Sequence, residues 1–196
     1  MVEKITKYSI LELFLNDYSK RYYLREIALA LGKPHQSIKS YVEALVSEGI
    51  LLKEKRVNII DYFLNLNSRK LIEYLVIAEK EKLFRKLKEN KLLDVLFEKL
   101  SVCFNENTFV IFGSVVVDVK KSSDIDLLVV GKQNINKIIK EFGEVYNKRI
   151  HKVQIVSFNK LTLTLVKEIY KKHIILNNTS KVVNFFINEY EKNKLV

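Results

Sequence analysis

Two short apolar runs in the second half of the chain restrict its fold more than any other feature. Residues 107–111 read NTFVI and lead into Gly113-Ser114, and residues 124–130 read DIDLLVV, with nine residues between Ser114 and Asp124. Runs rich in β-branched and aromatic residues favour strands, and nearly continuous apolar runs are typical of strands that are covered on both faces. The spacing therefore predicts a buried strand, a Gly-Ser turn, a short connection and a second buried strand.

Asp124 and Asp126 open the second of these strands. Side chains two residues apart on an extended chain share a face, so both carboxylates are expected on one side while Ile125 points into the core. Two like charges side by side are costly unless they are neutralised, commonly by a divalent cation. The alternative is a pair of solvated acids at the end of a strand.

The Gly113-Ser114 pair follows directly after the first strand. A glycine at such a turn allows close backbone approach, and the adjacent N–H groups can bind a phosphate. A phosphate loop beside paired carboxylates predicts metal-assisted chemistry on a nucleoside triphosphate.

These residues, FGS followed by SDIDLLVV, resemble the minimal nucleotidyltransferase family within the polymerase-beta-like superfamily. The resemblance extends over residues 80–196, because a helix at 135–142, a strand at 152–158 and a helix at 161–172, followed by HIILNN, agree with the family's layout. It implies a small mixed sheet flanked by helices.

The resemblance also implies the roles of four residues. Gly113 and Ser114 would hold the triphosphate of a nucleoside triphosphate. Asp124 and Asp126 would be catalytic residues that bind Mg²⁺.

The chain departs from this family at two places. The family usually has Arg or Gly just after the Gly-Ser pair, where residues 115–119 read VVVDV. A third carboxylate normally lies on the later strand, and the position matched to it is Gln154, which cannot act as a base. Asp118 or Glu144 could compensate, although no spacing argues for either. His151, next to the later strand, could contact a nucleotide but is interpreted as a surface histidine. Since loss of a general base costs roughly 10²–10⁴-fold, two of three expected acids imply weakened catalysis.

The N-terminal part of the chain has a different pattern. Helical spacing and turn residues predict helices at residues 4–16, 25–31 and 35–48, with Gly32-Lys33-Pro34 as the turn before the third helix. Two strand-like runs follow at residues 50–53 and 57–66, joined by a charged turn at residues 54–56.

This order, together with the segment LREIALALGKPHQSIKSYVEALVSEGILLKEKR, resembles winged helix-turn-helix regulators of archaeal and bacterial type over residues 1–68. The resemblance implies transcription regulation and DNA binding through the third helix, whose polar N-terminal side chains would reach bases while basic residues neutralise phosphates. The expected DNA-binding residues are Lys33, His35, Gln36, Ser37, Lys39, Ser40, Lys55 and Arg56. A homodimer is expected because many such regulators read paired half-sites. The alternative is that this module packs against a protein partner.

Composition limits the remaining possibilities. The 196 residues hold 34 Lys and Arg against 23 Asp and Glu, a net charge of +11 that favours an anionic partner. Residues 1–70 carry 12 basic and 8 acidic residues, and residues 101–196 carry 15 and 9, so both parts are basic. The single cysteine excludes an internal disulfide and a cysteine-cluster metal site. No apolar run approaches the roughly 20 residues of a bilayer helix, so a cytoplasmic protein is expected.

The expected fold class is α+β, with a winged helix-turn-helix at residues 1–68, a helical connector at 69–79 and a nucleotidyltransferase fold at 80–196. The charged residues 79–82 are expected to be exposed, and a break between the modules is expected near them or at Asn90. The favoured function is a DNA-binding regulator whose second domain binds nucleotide and metal with weakened catalysis. One alternative is an active Mg²⁺-dependent nucleotidyltransferase that transfers a nucleoside monophosphate to an RNA or protein acceptor. Another is an antitoxin-like interaction protein.

Overall fold

Each half of the chain builds its own β-sheet and its own set of helices. The computed structural model describes residues 5–116, 124–192 and 195, so Asp118 and residues 117–119 of the loop after Ser114 lie outside the described residues. The chain divides into two compact units between Glu81 and Lys82. The mixture of helices with two sheets confirms the expected α+β class.

The first unit begins with a short helix and contains a three-stranded antiparallel sheet. Its elements are α1 (Lys7–Leu11), continued by a 3-10 turn at Glu12–Phe14, then β1 (Tyr22–Tyr23), α2 (Leu24–Ala30), α3 (His35–Ser47), β2 (Leu51–Arg56) and β3 (Ile59–Leu64). The strands lie in the order β1-β3-β2. Apolar residues from the helices and from the hairpin form the core of this unit, and Ile10, Phe14, Ile38 and Leu51 among them are fully buried.

The hairpin turn lies further along the chain than the sequence predicts. Glu54, Lys55 and Arg56 belong to β2 and pair with residues of β3, while Val57 and Asn58 form the two-residue connection between Arg56 and Ile59. The charged run resembled a turn, but exposed strand positions also accept charges when opposite charges lie nearby. The prediction of a turn at residues 54–56 was therefore wrong.

A single long helix, α4 (Leu71–Glu89), contains the boundary between the two units. It is unbroken near residues 79–82, where Glu79 and Lys82 are only 2% and 4% exposed, contrary to the expected exposure. The break comes at Asn90, whose side chain accepts hydrogen bonds from the amides of Leu92 and Leu93 and so caps α5 (Lys91–Ser101). No helix among the described residues is long and apolar enough to span a membrane.

The second unit contains a four-stranded mixed sheet. After α5 come β4 (Asn107–Phe112), a 3-10 turn at Ser114–Val116, β5 (Ile125–Gly131), α6 (Asn136–Tyr146), β6 (Ile150–Ile155), α7 (Leu163–Lys171), β7 (His173–Ile175) and α8 (Thr179–Glu191). The strand order is β6-β5-β4-β7, with β5 and β6 parallel and the other pairs antiparallel.

The two faces of this sheet have different surroundings. Ile111, Leu127 and Val129 belong to one core cluster with residues of α5 and α6. By strand alternation, the row His173, Phe112, Asp126 and His151 occupies the opposite face, since these residues are direct cross-strand partners. On that face the ring of His173 packs 4.9 Å from the ring of Phe186 in α8. The acidic residues lie toward its β6 edge.

Candidate functional site

Asp124 and Asp126 lie on the same face of the sheet, as their spacing predicts. Asp124 immediately precedes β5 and Asp126 is its second residue. The Asp126 side chain is 30% exposed, which leaves it accessible to a ligand but partly desolvated. Burial raises the pKa of Asp126, with His151 opposing this effect and Asp124 adding to it. A carboxylate in this position gains from a nearby cation.

Gly113 brings the Gly-Ser turn against this carboxylate. Its φ of +79° is in the left-handed region, and a Cβ atom there would lie 2.6 Å from Oδ2 of Asp126. The contact arises because β4 and β5 pair Phe112 with Asp126, so the turn begins beside the carboxylate. Only glycine fits both the backbone and the space. The two motifs that the sequence placed nine residues apart therefore form one site.

The donors of this turn differ from those that the sequence analysis assumed. The Gly113 amide donates to the carbonyl of Lys172 at 3.3 Å, so it is not directed at a phosphate. Ser114 is exposed and opens the 3-10 turn, whose next two residues, Val115 and Val116, are buried. Ser114 is thus the residue of the pair that can donate to a ligand, while Gly113 makes room for the carboxylate.

His151 is the functional candidate that the sequence analysis missed. The parallel register places it directly opposite Asp126. Its Nδ1 lies 3.7 Å from Oδ1 of Asp126, and its Nε2 lies 3.8 Å from Oδ2 of Asp124, with half of the side chain exposed. The strand was predicted to start at residue 152 but starts at Ile150, which is why the histidine was assigned to the surface.

Gln154 does not occupy the position that the sequence analysis assigned to it. It pairs with Val129, whose side chain belongs to the core cluster, so alternation puts Gln154 on the face opposite to Asp126. Its Nε2 donates to the carbonyls of Gly131 and Gln133 at 3.2 and 3.0 Å. The matched position for a third carboxylate was therefore wrong, and the residue opposite Asp126 is His151.

Glu144 is also remote from the pair. It lies on α6, exposed, with Oε1 3.9 Å from Nζ of Lys140, and α6 packs against the other face of the sheet. Within residues 5–116, 124–192 and 195, no group of three or more His, Cys, Asp or Glu residues is arranged to hold a metal ion.

The two aspartates nevertheless fit Mg²⁺. This ion is usually bound by one or two carboxylates together with substrate phosphates, rather than by a complete protein cage. Both carboxylates supply hard oxygen ligands on one face, and the space that a Cβ at Gly113 would fill is taken by Asp126 itself. Asp124 and Asp126 are the residues that would hold the ion.

The residues expected to contact DNA lie in the first unit. Ile38 and Val42 of α3 are fully buried, while its N-terminal half presents an exposed polar surface formed by His35, Gln36, Ser37, Lys39 and Ser40. Lys33, in the preceding turn, is partly buried and Lys55 is exposed. The residues expected to contact DNA therefore all lie at or near the surface of the first unit.

Arg56 is already engaged within the hairpin. Its Nη2 lies 3.4 Å from Oε2 of Glu54, and its Nε lies 3.4 Å from Oδ2 of Asp61. Arg21 contacts the same Glu54 carboxylate and lies over the ring of Phe63. A phosphate contact by Arg56 would have to compete with these acids.

Comparison with known proteins matches a family model to part of the second unit. Residues 98–182 match the family model "Polymerase beta, Nucleotidyltransferase". A search of curated proteins found no match. One similar solved structure is a mutant of the toxin-antitoxin MntA-HpeT, with 9% identity and a TM-score of 0.38 over 51% of this chain and 86% of that one. Another is HmgR of Pseudomonas aeruginosa, with 17% identity and a TM-score of 0.27 over 76% of this chain and 50% of that one. Residues 98–182 thus carry a polymerase beta nucleotidyltransferase domain.

Proposed function

We propose that this domain binds a nucleoside triphosphate with Mg²⁺ at Asp124, Asp126 and Ser114, and transfers the nucleoside monophosphate to a hydroxyl acceptor. The observation that carries the proposal is the packing of the Asp126 carboxylate against Gly113, which joins the phosphate turn to the carboxylate pair. The family match over these residues supports the same chemistry.

Each residue has a distinct part in this reaction. A bound divalent ion neutralises phosphate charge and polarises the phosphoryl oxygens. Asp124 and Asp126 would hold that ion, and the Ser114 hydroxyl would donate to a phosphate oxygen. As the acceptor hydroxyl oxygen bonds to the α-phosphorus, its proton passes to the His151 imidazole, the bond to the β-phosphate breaks and pyrophosphate leaves.

The corrected position of Gln154 changes the expectation about catalysis. Gln154 faces away from the carboxylates, so its inability to accept a proton has no bearing on the reaction. The position opposite Asp126 holds an imidazole instead of a carboxylate, and imidazole is among the common proton acceptors in enzymes. We therefore favour an active transferase over one with weakened catalysis.

The test is incorporation of an α-labelled nucleotide into an acceptor. The wild-type chain should transfer label only with a divalent ion, and Asp126→Asn should lower the rate by about 10²-fold or more because a ligand is lost. Asp94→Asn, an exposed acid on α5 in the same unit, is the matched control and should keep the rate. Equal rates for wild type and Asp126→Asn would exclude the proposed site.

A second function is favoured by the exposed polar surface on α3. We propose that residues 1–68 form a winged helix-turn-helix that binds DNA, with a second copy of the chain as its partner on paired half-sites. The support is the exposure of all five polar residues of that half-helix while Ile38 and Val42 anchor it in the core.

DNA binding is tested by fluorescence anisotropy of a labelled duplex over a range of salt concentrations. The logarithm of the affinity should fall linearly with the logarithm of salt concentration, and Lys39→Gln should reduce the slope by about 1. Lys70→Gln, an exposed residue before α4, should leave the slope unchanged. Absence of duplex binding at low salt would exclude this function without affecting the nucleotide site.

A further inference from the structure

Ser114–Val116, the part of the Gly-Ser turn that the structure describes, supplies no basic side chain, and Lys120 and Lys121 further along this connection lie outside the described residues. The resembled family usually has Arg or Gly after that turn, whereas this chain has VVVDV at residues 115–119. Val115 and Val116 are buried. A triphosphate carries several negative charges, and a single ion held by two carboxylates leaves much of that charge uncompensated.

Arg149 lies on the other side of the carboxylate pair. The amide of Ile125 donates to the Arg149 carbonyl at 3.0 Å, which ties the Arg149 backbone to the start of β5. Ile125 then pairs with Ile150, and Asp126 pairs with His151. Arg149 immediately precedes β6, and the alternation of that strand, continued by one residue, places Arg149 on the face of His151, with its backbone beside the start of β5.

The Arg149 side chain is available for a ligand. It is exposed, and among the described residues it takes part in no ion pair and no side-chain hydrogen bond. By contrast, Lys152 on the same strand is held on the other face by Oδ1 of Asn136 at 2.7 Å and by Oε1 of Gln154 at 2.8 Å. An unpaired guanidinium beside a carboxylate pair is suited to an oxyanion, because its planar donors match a phosphate in a bidentate manner.

We propose that Arg149 binds a phosphate group at this site. The inference rests on the proposed function and adds to it a residue that belongs to neither the Gly-Ser turn nor the carboxylate pair. Two sources supply such a group: the triphosphate of the nucleotide, and the phosphodiester backbone of a polynucleotide acceptor whose end lies at the site. Arg149 recognises the same chemistry in both.

Two probes distinguish these sources. Inorganic tripolyphosphate with Mg²⁺, followed by calorimetry, represents the nucleotide, and a labelled single-stranded trinucleotide, followed by anisotropy, represents the acceptor. Arg149→Gln should weaken the binding of one of them by about tenfold or more, because a charge-assisted bidentate contact is lost. Arg149→Lys should restore only part of the affinity, since an ammonium lacks the planar fork.

Lys137→Gln is the control for net charge, because Lys137 is exposed on α6 and that helix packs on the other face of the sheet. It should bind both probes as the wild type does, and circular dichroism should show that all three variants are folded. Wild-type affinity of Arg149→Gln for both probes would overturn the inference while leaving the proposed function intact. If the wild-type chain bound neither tripolyphosphate nor the trinucleotide, both the Arg149 inference and the proposed function would be overturned.

Discussion

At the scale of single residues, the site depends on one glycine and one carboxylate that share the same space. Gly113 has a positive φ, and the Asp126 carboxylate lies where its Cβ would be. The Gly-Ser turn and the proposed metal ligand Asp126 are therefore coupled, and a change in one must move the other. This coupling explains why the glycine is required even though its amide is used by Lys172.

We expect Gly113→Ala to weaken Mg²⁺-ATP binding by about 10- to 100-fold, the usual effect of displacing a group that supports a metal ligand. Gly49→Ala is the matched control, because Gly49 has a similar φ of +73° but no atom within 4 Å of an added Cβ. Both substitutions should cost about 1–2 kcal/mol of folding free energy from backbone strain. Calorimetry and urea unfolding measure the two effects, and equal nucleotide affinities in both variants would contradict the coupling.

The sequence predicted some of these residues and missed another for a physical reason. Asp124 and Asp126 follow from strand alternation, which is a local property of the chain. His151 depends on where β6 starts and on its parallel register with β5, neither of which is encoded locally. The strand was expected to start at residue 152, which left His151 outside it, and the family's third carboxylate was matched to Gln154 instead.

At the scale of elements, α1 is fixed by a small polar cluster in the first unit. Nζ of Lys7 donates to both carboxylate oxygens of Glu48 at 2.9 Å, and the Tyr74 hydroxyl donates to Oε2 of Glu48, also at 2.9 Å. The hydrogen bond from Lys7 is the largest cause that lowers the pKa of Glu48, and the bond from Tyr74 acts in the same direction against desolvation. The cluster links the start of α1 to the end of α3 and to α4.

A carboxyl with a lowered folded-state pKa stabilises the fold above its unfolded-state pKa, and this contribution disappears as pH falls through the folded-state value. We therefore expect Glu48→Gln to lower the free energy of unfolding by about 1 kcal/mol at pH 7. The difference from wild type should vanish at acidic pH. Glu73→Gln, an exposed acid on α4, should show no such dependence in urea titrations; a pH-independent loss in Glu48→Gln would contradict the account.

Asn177, just after β7, makes hydrogen bonds to the backbone of β4 and of the segment that precedes β4 in the second unit. Its Oδ1 accepts from the Phe109 amide at 2.8 Å, and its Nδ2 donates to the carbonyls of Phe104 and Asn107 at 3.0 and 2.7 Å. One side chain thus satisfies three backbone groups where the sheet ends. The HIILNN segment therefore has a structural role at this residue.

We expect Asn177→Ala to destabilise the second unit by about 2–4 kcal/mol, because it leaves partly buried backbone groups without partners. Asn188→Ala, on the exposed face of α8, should change stability by less than about 0.5 kcal/mol. Thermal unfolding monitored by circular dichroism compares the two. Similar melting temperatures would show that water replaces these hydrogen bonds without cost.

The helices and strands that the sequence predicts well are longer than those that it does not predict. Strand β4 and helix α3 were predicted within one residue of their observed ends, because each carries a full hydrophobic pattern. Strands β1 and β7 have only two and three residues. Such short strands show no alternation of their own, and they exist because β3 and β4 offer edges with which they pair.

At the scale of the whole molecule, the net charge of +11 does not show how the charged residues are used in each unit. The second unit is basic overall, yet its candidate site is built on two acids, and Arg149, which makes no ion pair with any described residue, lies beside them. In the first unit, part of the basic excess is neutralised internally, since Arg21 and Arg56 both contact Glu54. Composition therefore predicted an anionic partner but not the residues that would bind it.

The division into two units was visible in the sequence because two separate sets of motifs occur in the two halves of the chain. Two places were expected for a break, residues 79–82 and Asn90. The helix breaks at Asn90, whereas the boundary between the units falls between Glu81 and Lys82, inside the continuous helix α4.

The most direct test of the central claim is a calorimetric titration of ATP into the full chain, with and without Mg²⁺, for wild type and Asp126→Asn. The account predicts saturable binding by the wild type that requires Mg²⁺, and a loss of about 10- to 100-fold in affinity for the variant. Circular dichroism confirms that the variant is folded. Mg²⁺-independent binding, or equal affinity in the two proteins, would contradict a nucleotide site built on the aspartate pair.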